Sequence, residues 1–425
     1  MDRPRRAVLA GACISGEMSA EAFEVSMSEL HGLCEACHIE AVGELTQNLS
    51  GEDSAYYIGS GKVGELKNQV YLLEADLVIF NNTLSPSQLA NLAHDLEVEV
   101  IDKTNLILNI FAMRARSAEA RMQVEYAKLQ YMLPRLVGLR QNLSRQGGTG
   151  GSMSNKGAGE TQIELDRRHI QKEMAELRRA LREVEQNRGT QRKKRERSGL
   201  PLVALVGYTN AGKSTLMNRL IDHCGEDTEK HVLVQDMLFA TLDTTVRKIS
   251  PGDHRDFLLS DTVGFINDLP HKLVEAFRST LEEALNADLI LEVIDYSDPN
   301  YRMHMDVTAR TLKELGAGHI PVLYLMNKAD RVYETAALPI VRGDKLYISG
   351  AEGIGMEELL EAIDGKLFAD CFTCELRIPY RDSGVENVLR ERAQVLEAKY
   401  EDEGIYLRAS LNQELLQRYK EYVIM

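Results

Sequence analysis

The sequence predicts an α/β fold spread over several domains, and three observations carry that expectation. A strand-like run, Leu202–Val206, leads into the glycine loop Gly207-Tyr208-Thr209-Asn210-Ala211-Gly212-Lys213-Ser214-Thr215, and an amphipathic run with Leu216, Met217, Leu220 and Ile221 follows. Strand-like and helix-like runs alternate from about residue 5 to residue 105. Between these two regions lie two stretches of helical period separated by a glycine-rich connection. A strand, a glycine loop and a helix in that order make a phosphate cradle. Glycine lets successive amides turn inward, and the new helix adds its positive dipole end.

A chain of 425 residues accommodates about three domains by length. Its 44% apolar and 27% charged content is that of ordinary soluble globular proteins. Six cysteines without a dense framework point to a reducing compartment. Cys34 and Cys37, with His31 and His38, fall at helical spacing and offer a metal-ligand reading, as does the second pair, Cys371 and Cys374. Small core residues beside a helix-edge histidine are the simpler explanation. The opening residues up to Cys13 resemble a secretion signal, but their apolar run stops within about eight residues, so a first β-strand is expected. No run approaches the roughly 20 apolar residues of a membrane span, so stable membrane insertion is not expected. The net charge of -15 argues against nucleic acid until its distribution is read. From Thr161 to Leu200 there are twelve Lys/Arg against seven Asp/Glu, a local +5 that leaves -20 for the remainder. Local basic surface is what phosphate contacts need.

Taken in order, residues 1–104 read as a small α/β domain with a parallel sheet. Its strands are expected in AVLAGACI, near Ile39–Leu45, at Leu77–Phe80 and at Val98–Ile101. Its helices are expected over Ser19–Cys37, Lys62–Leu73 and Ser85–Leu96. Gly59-Ser60-Gly61-Lys62-Val63-Gly64 fits GxGxxG, which admits an ATP site in this domain; a turn opening a helix explains it as well. Residues 105–199 read as an antiparallel helical hairpin. Met122, Tyr126, Leu129, Leu133 and Leu136 form one seam, and Ile163, Ile170, Met174, Leu177, Leu181 and Val184 form the other. Pro134 should kink the first helix. The tip, residues 147–159, holds six glycines and no acid, with Arg140, Arg145 and Lys156 nearby. It suits either a flexible linker or close backbone approach to a ligand.

Residues 200–367 carry the remaining nucleotide motifs. Phe257–Ser260 is a strand leading to Asp261-Thr262-Val263-Gly264, where Asp261 would hold magnesium through water and the Gly264 amide would meet the γ-phosphate. Lys213 would reach the terminal phosphates, and the Ser214 hydroxyl would ligate magnesium. Between these motifs, Phe239-Ala240-Thr241-Leu242-Asp243 offers Thr241 as the second hydroxyl ligand, with Thr244 and Thr245 as alternatives. Val322–Met326 ends in Asn327-Lys328-Ala329-Asp330. The Asp330 carboxylate can accept from both guanine N1–H and the 2-amino group, and adenine would leave it unpaired, so the motif selects guanine. Ser349-Gly350-Ala351 would close over guanine O6 with a backbone amide. Residues 200–367 are therefore expected to form a P-loop GTPase domain. Phe265 stands where many GTPases place a water-orienting glutamine, so intrinsic turnover should be slow.

GYTNAGKS, FATLD, DTVGF and NKAD, with GAGETQIELDRR (Gly157–Arg168) and SGKVGEL (Ser60–Leu66), resemble the HflX family of ribosome-associated GTPases over nearly the whole chain. The resemblance implies a small α/β domain, a helical hairpin, the GTPase domain and a small C-terminal α/β domain. It also implies binding to the large ribosomal subunit and separation of stalled or idle ribosomes. Asn210 resembles the asparagine with which related GTPases hold potassium beside the phosphates; a loop hydrogen bond explains it equally. Three departures stand out: Asn81-Asn82 where the family is acidic, SMSNKGAG at the tip, and Gly350 for the common alanine, which still offers an amide. Residues 368–425 should form the C-terminal domain, with strands Cys374–Ile378 and Gly404–Ala409 and helices Gly384–Tyr400 and Gln413–Tyr419. From Met356 onward there are fifteen acids against nine bases, which suits a protein contact or packing more than RNA.

The expectation is therefore a magnesium-dependent, ribosome-stimulated GTPase that binds GTP, GDP and the large subunit. It should act as a monomer in the cytoplasm, with transient membrane association left open. Two rivals are a GTPase of ribosome assembly or tRNA modification and an ATP-driven RNA remodeller working through the N-terminal domain.

Overall fold

The computed structural model describes residues 3–146, 154–198, 200–225, 238–239, 245–252, 255–262, 264–267, 284–369 and 371–424. Their contacts divide into two compact units. The first runs to Val184 and also takes in Phe239 and the segment 264–267; the second takes the rest.

In the first unit, β1 (Arg6–Ile14), β2 (Glu40–Leu49), β3 (Leu77–Phe80) and β4 (Glu99–Asp102) form a parallel sheet in the order β2-β1-β3-β4. Between them lie α1 (Ala20–Ala36), α2 (Ser60–Leu72) and α3 (Pro86–Leu96). Local signals set the helix starts: the Ser19 side chain accepts from the Ala22 amide, and Ser85 with Gln88 forms a capping box. Val8, Ala10, Ala12 and Ile14 of β1 pack with Leu45, Ile58, Leu66 and Phe80 in one core. The GxGxxG stretch opens α2, where the Gly59 amide donates to Gln47 Oε1 at 3.0 Å. Cys34 is fully buried, and burial pushes its thiol up to about 12, opposite to what a thiolate metal ligand needs. Among the described residues no group of His, Cys, Asp or Glu is arranged to hold a metal, and no helix is long and apolar enough to cross a membrane.

α4 (Lys103–Arg114) starts from Asp102, whose Oδ1 accepts from the Asn105 amide. The same buried carboxylate holds α5 (Ala118–Gln146) to the sheet edge, taking the Tyr131 hydroxyl at 2.8 Å and Arg135 Nη2 at 3.1 Å. The stripe that α5 buries is Ala120, Gln123, Val124, Ala127 and Leu129, which keeps only Leu129 of the expected seam; Met122, Tyr126, Leu133 and Leu136 are half-buried. α5 packs on α3 and α4, and its small residues permit that approach. The helix runs through Pro134 to Gln146.

α6 (Ser154–Ser198) begins nine residues before Ile163 and makes residues 154–159 helical, where the sequence suggested loop. Two glycines at roughly 1 kcal/mol each do not stop a helix propagating from a long seam. Ile170, Met174, Leu177, Leu181 and Val184 form a half-buried stripe on it. Residues 147–153 of the expected tip lie outside the described residues.

The second unit is built on seven strands ordered β10-β11-β9-β8-β5-β7-β6. These are β5 (Leu202–Val206), β6 (Thr245–Ile249), β7 (Phe257–Asp261), β8 (Leu289–Asp295), β9 (Val322–Asn327), β10 (Ile340–Arg342) and β11 (Lys345–Tyr347). β6 and β10 are antiparallel to their neighbours and the rest are parallel. α7 (Lys213–His223), α8 (Tyr301–Leu315) and α9 (Met356–Leu367) belong to this unit. One core joins Val203 and Leu205 of β5 to Leu216 and Leu220 of α7 and Leu359 and Ile363 of α9.

A four-stranded sheet ordered β13-β14-β12-β15 follows, formed by β12 (Phe372–Ile378), β13 (Gln394–Glu401), β14 (Gly404–Leu411) and β15 (Val423–Ile424). α10 (Gly384–Arg392) and α11 (Gln413–Arg418) accompany it. The expected helix Gly384–Tyr400 therefore ends at Arg392, and residues 394–401 form a strand. A bulge between Val395 and Glu397 breaks the alternation that would have signalled it. Gly404 closes this hairpin at φ 149°, where a Cβ would lie 2.5 Å from the Ile378 carbonyl oxygen.

Glu292 on β8 is 2% exposed, and its Oε1 has no hydrogen-bond partner among the described residues. Burial, reinforced by Asp306, pushes its carboxyl up to about 8 from 4.5. A raised folded pKa gives stability that is complete below the unfolded value and is lost as pH climbs towards 8. Replacing Glu292 by Gln should raise the melting temperature at pH 8 by the equivalent of a few kcal/mol. The difference should vanish near pH 4, below the unfolded value, as differential scanning at the two pH values would show.

Candidate functional site

The phosphate loop is shaped by contacts that forbid side chains. Gly207 follows β5 at φ 140°, and a Cβ there would lie 2.2 Å from the Val293 carbonyl oxygen on β8. Gly212 ends the loop at φ 94°, and its Cβ would meet Asn327 Nδ2 at 2.4 Å. Only glycine fits either position. Lys213 opens α7, and its Nζ donates to the carbonyls of Gly207 at 3.1 Å and Tyr208 at 2.8 Å. Burial pushes its ammonium down to about 8, with Asp261 acting against that shift. A phosphate anion alongside favours the charged form.

Ser214 Oγ donates to Asp261 Oδ2 at 2.6 Å. Asp261 closes β7; burial raises its carboxyl, with Ser214 and Lys213 opposing. Its Oδ1 is buried with no hydrogen-bond partner among the described residues. A hydroxyl and a carboxylate at this spacing, with one oxygen unsatisfied, fit the hard oxygen ligation that magnesium requires. Thr262 fixes the turn by donating its hydroxyl to the Leu205 carbonyl at 2.7 Å.

The base-recognition motif is joined to that loop. Asn327 Nδ2 donates to the Ala211 carbonyl at 2.8 Å, and its Oδ1 accepts the Gly350 amide at 2.8 Å. Lys328, at φ 57°, donates from Nζ to the Asn210 carbonyl at 2.8 Å and to Asp295 Oδ2 at 2.7 Å. Burial acts to raise Asp295, but Lys328 and Ser297 together outweigh it and hold the carboxyl below its usual value. Asp330 Oδ1 is buried without a hydrogen-bond partner among the described residues, an acceptor suited to a guanine N–H.

The structure thus brings together Gly207–Thr215, Asp261, Thr262, Asn327–Asp330 and Ser349–Ala351. Two expectations change. The Gly350 amide, one of those expected to close over guanine O6, donates to Asn327 Oδ1 instead. Thr245 lies in β6, paired across from Asp261. Ala240, Thr241, Leu242, Asp243, Thr244 and Val263 lie outside the described residues. Phe239 and Gly264 belong to the first unit, where Phe239 packs edge-on against Phe111 at 4.7 Å and 79°. Phe265, in the same unit, is 3% exposed.

Sequence reasoning missed Asp295 and Arg219. Asp295 ends β8 across from Asn327, so the only signal was strand register. Arg219 Nε and Nη2 donate to the carbonyls of Gly350 and Ala351 at 3.2 and 2.5 Å, a helix-to-loop clamp without a motif.

If Asp330 reads guanine, replacing it by Asn should weaken GTP binding at least tenfold, since the donors on guanine N1 and N2 lose their acceptor. It should also improve binding of xanthine nucleotides, which offer a carbonyl in place of the amine. Titration with both nucleotides checks this, and unchanged GTP affinity would contradict it.

Comparison with known proteins covers most of the chain. Residues 24–112 match the family described as GTP-binding GTPase N-terminal, residues 114–195 the GTP-binding GTPase Middle Region, and residues 202–328 the 50S ribosome-binding GTPase family. The GTPase HflX of Caldanaerobacter subterraneus subsp. tengcongensis is 43% identical over 407 residues, 96% of this chain and 92% of that protein. GTPase HflX of Alkalihalophilus pseudofirmus is 48% identical over 311 residues, 73% of this chain and 71% of that one. GTPase HflX of Escherichia coli K12 is 38% identical over 378 residues, 88% and 85% respectively. With a phosphate loop, a guanine-selective motif and likeness of this extent, the chain belongs to the HflX family of GTPases and is a GTP-hydrolysing enzyme.

Proposed function

We propose that this GTPase binds the large ribosomal subunit and separates stalled or idle ribosomes into subunits. The observation that carries the proposal is α6. It is a 45-residue helix that begins beside a glycine-rich, acid-free connection, within a stretch that holds a local +5 on an otherwise acidic chain. At 1.5 Å per residue it extends roughly 67 Å, long enough to reach into a crevice closed to a globular domain. The ribosome-binding family of its GTPase domain supports the same partner. In this reading residues 147–159 contact the large subunit, and the GTP-bound form excludes the small one. The protein acts as a monomer in the cytoplasm.

In hydrolysis, Lys213 and the amides of Gly207–Ser214 neutralise and orient the phosphates. Ser214 and Asp261, with Thr241, would hold a magnesium ion, which would supply charge neutralisation. Phe265 offers the attacking water no hydrogen bond, so turnover is slow until a partner completes the site.

Shortening residues 147–159 to a few serines should leave intrinsic GTP hydrolysis intact, because no nucleotide motif lies there. Stimulation of hydrolysis by large subunits should fall about tenfold or more, since the contact that orders the site is removed. Parallel turnover assays with and without large subunits provide the test, and undiminished stimulation would reduce the segment to a linker. ATP turnover with the guanine site filled would instead favour a second nucleotide activity in the N-terminal region.

Asn210 has φ 60°, a conformation asparagine tolerates, which supports a loop role. If its side chain also holds potassium, turnover should be faster in potassium than in sodium. Asn210→Gly, which keeps the backbone conformation, should erase the difference. Equal rates for the unaltered protein would leave only the loop role.

A further inference from the structure

The phosphate loop is fastened at both ends by contacts already described: Gly207 against the Val293 backbone, and the carbonyls of Asn210 and Ala211 to Lys328 and Asn327. Tyr208, between them, makes a further contact. Its ring lies on the imidazole of His304, centroids 3.9 Å apart and planes 12° apart. Tyr208 is 8% exposed, and the His304 side chain is 11% exposed. His304 sits in the first turns of α8, an element that carries no nucleotide motif. Its backbone is fixed there: its amide donates to the Asn300 carbonyl at 3.2 Å, and its carbonyl accepts the Thr308 hydroxyl at 2.9 Å. The Asp298 carboxylate lies 3.9 Å from His304 Nδ1 and bounds the ring's travel on that side.

Tyr208 matters because its carbonyl is the nearer of the two on which Lys213 rests, at 2.8 Å. The amides that follow it, from Thr209 to Lys213, are those expected to face phosphate. A rotation at Tyr208 would therefore displace the lysine and the first amides together.

We propose that His304 is a positioning residue for nucleotide binding. Its stack with Tyr208 fixes the middle of the phosphate loop before nucleotide arrives. Preorganisation of this kind lowers the cost of binding. It acts alike on bound substrate and transition state, so it changes KM and product affinity and leaves kcat alone. The size of the effect is that of an aromatic pair beyond its buried area, about two- to tenfold in affinity.

The test uses the full chain with three substitutions, His304→Ala, His304→Leu and His304→Phe, each followed by GTP turnover, GDP titration and thermal melting. The Ala and Leu proteins should show KM for GTP and Kd for GDP raised about two- to tenfold with kcat little changed, and Phe should restore both constants. Melting separates loss of packing from loss of positioning, because Leu fills similar volume without a ring to stack. A Leu protein that binds as tightly as the parent would overturn the proposal, since bulk alone would then suffice. So would a Phe protein as weak as the Leu one, or a fall in kcat at constant KM. Should the Ala protein fail to fold, the comparison of Leu with Phe still decides.

Discussion

The side-chain amide of Asn327 is the constraint on which the rest of the nucleotide site depends. Both of its ends are used: Nδ2 holds the phosphate loop through Ala211, and Oδ1 holds the base-closing loop through Gly350. The group is 2% exposed, so breaking either bond would leave a buried polar atom unpaired, at a cost of about 1–3 kcal/mol. Its position also explains residues far from it in sequence. Gly212 lacks a side chain because Asn327 occupies the space, and Asp295 lies beside it because β8 and β9 are in register. Lys328, the next residue, repeats the device by tying Asn210 to Asp295. Phosphate and base recognition therefore share one set of hydrogen bonds.

That arrangement follows from sheet topology. β5 lies between β8 and β7, and β9 flanks β8, so the C-terminal ends of four parallel strands bring Gly207, Asp261, Asp295 and Asn327 to one edge. Ligands of open α/β sheets bind at that edge. The strands below it are almost wholly apolar and buried, which leaves the edge as the place where polar groups accumulate. Lys213 and Asp261 illustrate the consequence. Burial moves each towards its neutral form, and each opposes the shift in the other. A triphosphate with its cation supplies the charges that both lack.

The phosphate loop and the segments at Asp261 and at Asn327–Asp330 were legible in the sequence because nucleotide chemistry fixes their spacing. A glycine loop between strand and helix, and a carboxylate that complements guanine, have few alternative explanations when they occur in order. The parallel sheet of the first unit was legible from its alternating runs. What escaped depends on pairing between distant segments. β13 was read as helix because its bulge disrupts the period of two, and the buried stripe of α5, which includes Ala120, Gln123 and Ala127, is set by packing on α3 and α4. The helical start of α6 at Ser154 was hidden by Gly157 and Gly159. Asp295, Arg219 and His304 belong to no motif, and each enters the site through a contact of long sequence separation.

In the proposed role, the GTP-bound protein holds the large subunit in a state that the small subunit cannot join. The most direct measurement is sedimentation of intact ribosomes with the protein in the presence of a non-hydrolysable GTP analogue, and again with GDP. The account predicts that the analogue converts the intact-ribosome peak into separate subunits with the protein travelling on the large one, and that GDP does not. Intact ribosomes in both gradients, with the protein left at the top, would contradict it.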